Sequence, residues 1–206
     1  MNKGIEKAFS EGKAFIGFIT SGDPDLETTE KIVYAMDHAG CDFMTYANVV
    51  YSYGIEKFCQ KMVEGHMSGM ILPDVPFEEK EEFDTVCKEY GLDLISMIAP
   101  TSHQRIQTIA KEANGFIYCV SSLGVTGVRS KITTDIGAMV DLVREVTDVP
   151  VAVGFGISTP EQAKKMASQS DGAIVGSAII KIIEKYGKDA PQYVEAYVKE
   201  MVDAIK

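Results

Sequence analysis

Short apolar runs alternate with longer amphipathic stretches along the whole chain. The runs are AFIGFIT (14–20), DFMTYA (42–47), GMILPDV (69–75), LDLISMIAP (92–100), GFIYCVSS (115–122), VPVAVGFG (149–156) and GAIVGSA (172–178). They are rich in Ile, Val, Phe and Tyr and apolar at successive positions, the pattern of parallel strands covered on both faces. Helical patterns fill the intervals, among them LETTEKIVYAMDHAG (26–40), EEKEEFDTVCKEYG (78–91) and PEQAKKMASQS (160–170). Ser158-Thr-Pro-Glu161 reads as a capping box with proline in the first turn, and Thr101-Ser-His-Gln104 as a second. Gly40 and Gly91 stand where left-handed stops end a helix before the next strand.

Strand starts recur every 23 to 34 residues, so each unit is one strand, one helix and two short loops. Such repetition allows an open doubly wound sheet or a closed (β/α) barrel. The first strand is not followed by a G-x-G-x-x-G turn; the segment reads TSGDPD. Glycine-rich loops come late instead: GVTG (124–127), GFG (154–156) and GS (176–177). Phosphate sites after the last strands are a feature of TIM barrels, so an α/β fold of TIM-type (β/α) barrel class is expected, shortened to about seven strand–helix units. Strand number, tilt and shear are coupled in a barrel, so seven strands either close more tightly or leave a gap. An unpaired edge invites another chain, and a homo-oligomer is expected.

Composition narrows the class further. The chain has 206 residues, 46% hydrophobic and 24% charged, which fits a single globular domain over 1–206 without linkers or low-complexity tracts. A net charge of −10 makes nucleic acid and anionic membrane surfaces poor partners. With no apolar run near the roughly 20 residues of a bilayer span and no signal-peptide pattern at the start, a cytoplasmic protein is expected. Cys41, Cys59, Cys87 and Cys119 are scattered, and His38, His66 and His103 stand apart from one another. Ordinary thiols and no metal or cofactor are therefore expected.

The glycines carry the strongest chemical signal. Gly127, Gly156 and Gly176 each fall at a strand end or in the loop beyond it, where bare backbone N–H groups can approach an anion. Ser177 adds a hydroxyl where AIIKIIEKY would begin a helix. The bland alternative is that these glycines only turn corners. Loop 121–135, with Arg129 and Lys131, has the length and glycine hinges of a cover over a ligand, or is a plain surface connection. Asp74 is the one carboxylate clearly at a strand C-terminus; Asp23 and Asp25 read as turn and cap residues, and Asp42 falls at a strand start. Tyr46 and Tyr118 fall within strands, with core packing the simpler reading of both.

At this point FITSGDP, MTYANVVYSYG, ILPDVPFEE, IAPTS, GFIYCVSSLGVTG, VPVAVGFGIST and DGAIVGSAI together resemble the tryptophan synthase alpha chain family, in order and through nearly the whole chain. The resemblance implies a TIM barrel that cleaves indole-3-glycerol phosphate by a retro-aldol reaction to indole and glyceraldehyde 3-phosphate, in tryptophan biosynthesis. It implies a PLP-dependent beta subunit as partner. It places the substrate phosphate at Gly127, Phe155, Gly156, Gly176 and Ser177, and the indole and glycerol parts near Phe18, Tyr46, Tyr118 and Thr126. One stretch departs. Where the family has a segment like D-x-x-E-L-G-x-P-F-S-D-P and then a helix, AGCDF here runs straight into MTYANVV, an internal deletion between about Phe43 and Met44. Aligned from Asp42 forward, the family's catalytic Glu is replaced by Thr45 and its catalytic Asp has no counterpart. No catalytic residue is assigned, and impaired catalysis is expected. The missing loop also makes much of the family's beta-subunit contact. Two other readings stay open: a non-catalytic phosphate-ligand binding or regulatory protein, and a deletion product or engineered fragment without activity.

Overall fold

The computed structural model describes residues 3–10, 12–20, 22–38, 41–42, 47–120, 135–154 and 156–206. The elements among them run α1 (Lys3–Ser10), β1 (Ala14–Gly17), α2 (Leu26–His38), β2 (Cys41–Asp42), α3 (Ala47–Tyr53), α4 (Ile55–Glu64), β3 (Gly69–Met70), α5 (Glu81–Glu89), β4 (Asp93–Leu94), β5 (Ser96–Ile98), α6 (His103–Lys111), β6 (Ile117–Val120), α7 (Ile136–Arg144), β7 (Val151–Gly154), α8 (Pro160–Ala167), β8 (Gly172–Val175), α9 (Ser177–Tyr186) and α10 (Ala190–Ile205).

Every ladder is parallel, and the strands follow the order β2-β1-β8-β7-β6-β5, with β3 and β4 paired beside them. β4 and β5 lie on either side of Ile95, whose N–H donates to the Met70 carbonyl at 2.8 Å. They are one strand position within the run 92–100. The wall therefore has the seven places that the sequence pattern predicts. Its two ends are β2 and β3, and among the described residues no ladder joins them.

Alternation along the strands separates two apolar clusters, as the unbroken apolar runs require. Ala14, Ile16, Phe18, Phe116, Tyr118, Ala152 and Ile174 pack with Ile71 and Ile95 inside the wall. The intervening Phe15, Ile117, Cys119, Val151, Val153, Ala173 and Val175 face the helices. Cys119 is the small buried hydrophobe its setting indicates, and burial pushes its thiol up to about 12. α1 covers the N-terminal end of the wall: Ile5 is buried there, and Phe9 packs on Phe116 with ring centroids 5.6 Å apart. A third cluster, including Val50, Cys59, Met62, Phe83 and Cys87, joins α3, α4 and α5.

Several boundaries differ from the sequence pattern. The run 69–75 is a strand only at Gly69–Met70; residues beyond it turn, with the Val75 N–H donating to the Leu72 carbonyl at 3.2 Å, because Pro73 brings no donor to continue a ladder. Ala47 opens a helix rather than ending a strand. The box expected at Ser158–Glu161 sits one residue later. The Thr159 hydroxyl accepts from the Gln162 N–H, and the Gln162 side chain accepts from the Thr159 N–H, with Pro160 in the first turn. On α6 the cap is Ser102, not Thr101, and the Arg105 N–H donates to it at 3.3 Å. Gly91 does follow α5 in the left-handed region, at φ 71°; Gly40 lies outside the described residues. Among the described residues no helix is long and apolar enough to cross a membrane.

Candidate functional site

Because the ladders are parallel, the strand C-termini share one end of the wall. The registers Gly17↔Val175, Ile174↔Gly154 and Gly154↔Val120 set the ends of β1, β8, β7 and β6 side by side there. Phe18, Gly176, Ser177 and Gly156 follow directly from those ends. The sequence-predicted residues that the structure describes are thus brought to one place, with Tyr118 just below on β6. Gly127, Phe155, Tyr46 and Thr126 lie outside the described residues, as do Arg129 and Lys131 of loop 121–135. At the close of that loop, Asp135 caps α7, its carboxylate accepting from the Ala138 N–H at 3.0 Å.

Local sequence explains how each piece is held. Gly176 is the residue before α9, and the Ile180 N–H donates to its carbonyl at 3.1 Å. The N–H groups of Ser177, Ala178 and Ile179 then have no acceptor within the helix, which is the condition of any helix start. They and the helix dipole favour an anion beyond Gly176. Gly156 sits at φ 75°, a left-handed position that most side chains resist. The stretch after it is fixed from two sides. The Gln162 side chain accepts from the Ser158 N–H at 2.8 Å, and the Tyr197 hydroxyl on α10 donates to the Ser158 carbonyl at 3.0 Å. Burial pushes the Tyr197 hydroxyl up to about 12, so it stays a donor. The spacing Thr159–Gln162 carries a signal that would have identified Gln162. Nothing in the sequence around Tyr197 identifies its partner.

The carboxylates sort differently. Asp25 is a cap: it accepts from the Thr28 N–H at 2.8 Å, and that bond holds its carboxyl below the usual range. Asp74 is exposed, and its Oδ1 accepts from the Ala47 N–H at 3.0 Å, the first helical residue of α3. Its position at a strand C-terminus serves the start of a helix. Between the loop after β3 and the C-terminal part of β5 lies a cavity of about 230 Å³, lined by Leu72, Pro73, Phe77, Lys80, Met97 and Val120. Sequence reasoning did not single it out, since its walls come from apolar residues of three separate units. Lys80 at its edge lies 4.2 Å above the Phe77 ring and 3.3 Å from Glu112. Among the described residues no cluster of three His, Cys, Asp or Glu side chains gathers around a metal position.

The sequence and the fold are similar to those of known proteins. The family model for the tryptophan synthase alpha chain matches residues 42–206. The tryptophan synthase alpha chain of Lacticaseibacillus casei is 35% identical over 256 residues, covering 98% of this chain and 96% of that protein. That of Thermoanaerobacter sp. (strain X514) is 36% identical over 259 residues, covering 100% and 99%. Among solved structures, the tryptophan synthase subunit alpha of Legionella pneumophila str. Paris superposes with a TM-score of 0.77 at 28% identity, covering 100% of this chain and 98% of that one. A structure of Mycobacterium tuberculosis tryptophan synthase, at 23% identity and a TM-score of 0.78 with 98% and 96% covered, shares the fold. With its strands in barrel order and its sequence matched from β2 onward, this chain, a barrel shortened to seven strand places, belongs to the tryptophan synthase alpha chain family.

Proposed function

We propose that this chain keeps the family's seat for the phosphate of indole-3-glycerol phosphate and lacks the pair of carboxylates that cleaves it. The observation that carries the reading is the convergence of Gly156, Gly176 and Ser177 at the ends of β7 and β8, with the first turn of α9 aimed beyond them. Phe18 and Tyr118 belong to the same end and supply apolar surface for an indole ring. Gly127, Phe155, Tyr46 and Thr126 complete the set by resemblance.

The missing carboxylates are supported by length. A match of 256 residues exceeds the 206 of this chain, so at least 50 of its positions face no residue here. We place that gap between about Phe43 and Met44, within the single domain. Retro-aldol cleavage needs the indole activated at C3, a proton moved from the glycerol side, and positive charge near N1 stabilised. One positioned acid–base group is typically worth about 10²–10⁴-fold in rate. Phosphate anchorage alone binds ground state and transition state alike, which does not accelerate the chemical step. The chain is therefore a binder of glycerol-phosphate-type ligands with little turnover. The family's PLP-dependent beta subunit would meet a surface without the loop that makes much of its contact, so we expect weak association.

The test is indole release from indole-3-glycerol phosphate, with and without a beta subunit, beside calorimetric titration of glycerol phosphate. Binding is expected with turnover below a tenth of that of a full-length family member. Thr45→Glu is expected to recover little, because the second carboxylate stays absent and groups acting as a unit do not add. Turnover within about tenfold of the full-length enzyme overturns the catalytic reading, since one lost acid–base group already exceeds that. Absence of glycerol-phosphate binding overturns the seat.

A further inference from the structure

The affinity of the proposed phosphate seat depends on which way a short stretch of backbone turns. Gly156 takes φ 75°, Ile157 is buried, and Thr159 is already the cap of α8. Among the described residues, no hydrogen bond holds the backbone of Gly156 or of Ile157. Ser158, between them and the cap, is therefore the point from which their direction is set. An anion needs N–H groups turned toward it and carbonyl oxygens turned away, because a carbonyl oxygen carries partial negative charge.

Ser158 is gripped from two directions. Its N–H and hydroxyl donate to the Gln162 side-chain oxygen at 2.8 and 3.2 Å, and the Thr159 N–H reaches the same oxygen at 3.3 Å. Those donors are used within the start of α8. The carbonyl goes elsewhere: it accepts from the Tyr197 hydroxyl at 3.0 Å, 39 residues further along the chain. Tyr197 is itself held, since its ring packs on the helix-side cluster and α10 lies against α8. A donor on a packed ring keeps its place, whereas water exchanges and follows the loop as it turns. Holding a loop in its binding conformation beforehand removes an ordering cost from binding. We infer that Tyr197 is a positioning residue for the phosphate seat: its hydroxyl holds the Ser158 carbonyl toward α10 and so keeps the Gly156 N–H presented to the anion. It acts through the backbone and not on the ligand. The inference rests on the proposed seat and adds that the last helix of the chain sets its affinity.

Calorimetry with glycerol phosphate on the full chain tests it, with Tyr197→Phe removing the hydroxyl and keeping the ring. The dissociation constant is expected to rise about three- to tenfold, the effect of one hydrogen bond. Amide NMR separates positioning from a general loss of structure. Phosphate-induced shifts should shrink at Gly156 in Tyr197→Phe and persist at Gly176 and Ser177. In affinity, Tyr197→Phe should be non-additive with Gly156→Asn and additive with Ser177→Ala. Equal affinity in wild type and Tyr197→Phe, or additivity with Gly156→Asn, overturns the positioning role and leaves the seat in place. Shifts that shrink equally at Gly156 and Gly176 overturn it too, in favour of a structural effect on the whole end of the wall. A wild-type chain that binds no glycerol phosphate removes the seat itself, and the positioning role with it.

Discussion

Gly176 packs directly against the side chain of Phe18: a Cβ built on the glycine would stand 2.8 Å from Phe18 Cδ1. Gly176 has φ −121°, so its missing side chain answers to this contact and not to a left-handed backbone. The contact joins the residue after β1 to the residue before α9, and so fixes the start of α9 relative to the strand ends. Gly176→Ala is expected to displace the ring and to destabilise the fold by about 1–3 kcal/mol, the usual cost of overpacking. Phe18→Leu should relieve part of that penalty. A double-mutant cycle in urea checks the coupling, and strict additivity of the two substitutions would refute it.

The phosphate seat predicts a charge effect at Gly156. Asp and Asn tolerate the left-handed region better than most residues, so both fit the backbone there. Gly156→Asp should abolish glycerol-phosphate binding, while Gly156→Asn, of nearly the same shape, should retain part of it. Calorimetry that finds equal affinity in wild type and both variants would remove Gly156 from the site.

Asp74 is predicted to act on stability through α3. Removing its carboxylate in Asp74→Ala leaves the Ala47 N–H without that acceptor and should cost about 0.5–2 kcal/mol, as for other helix caps. Asp74→Asn, which keeps an acceptor oxygen, should lose less. Urea unfolding separates the two variants, and equal losses would show that the hydrogen bond is not what matters.

The ion pair between Arg105 and Glu78 ties the segment after β3 to α6, and the guanidinium holds the Glu78 carboxyl down at about 2. A carboxyl depressed on folding stabilises the native state fully above its ordinary range, and that contribution fades as the pH falls toward about 2. Carboxyl titration by NMR should place Glu78 well below the other exposed glutamates. Arg105→Gln should raise it toward the ordinary range, with the backbone hydrogen bond at Glu78 still holding it partly down, and remove the corresponding part of the acid dependence of stability. Both groups are substantially exposed, so added salt should narrow the difference.

The seven strand places were legible because each one is a run of apolar residues with no polar face, a pattern that few other elements produce. Strand lengths were less so. Pro73 ends a ladder inside a run that remains apolar to Val75, and Ser177 begins a helix within the run 172–178. Caps were readable to within one residue, since Thr101 and Ser102, or Ser158 and Thr159, offer the same oxygen at adjacent positions. At the candidate site, Gly156, Gly176 and Ser177 could be named from sequence because a parallel wall places every strand end on one side, whereas Phe18 was named only through the family resemblance. Contacts such as Tyr197 with Ser158 depend on how α10 packs back onto the barrel, which local pattern does not encode. Asp74 is a related case: its place after β3 fits an acid–base role, and local pattern does not show that the N–H it meets belongs to a helix residue 27 positions earlier.

The placement of β1 bears on how the chain comes together as it is made. Ala14–Gly17 pairs along its full length with Gly172–Val175, and Ile5 of α1 rests against positions near Gly69 and Gly115. A ribosome delivers β1 long before β8, its more extensive neighbour, exists. Until the last quarter of the chain emerges, the first strand has only the short β2 for a ladder, and its apolar faces stay open to solvent or to a chaperone. Insertion of β8 between β1 and β7 is thus the event that turns a nascent series of α/β units into a cooperative whole. Chains halted shortly before residue 172 should be markedly more susceptible to proteolysis than completed ones.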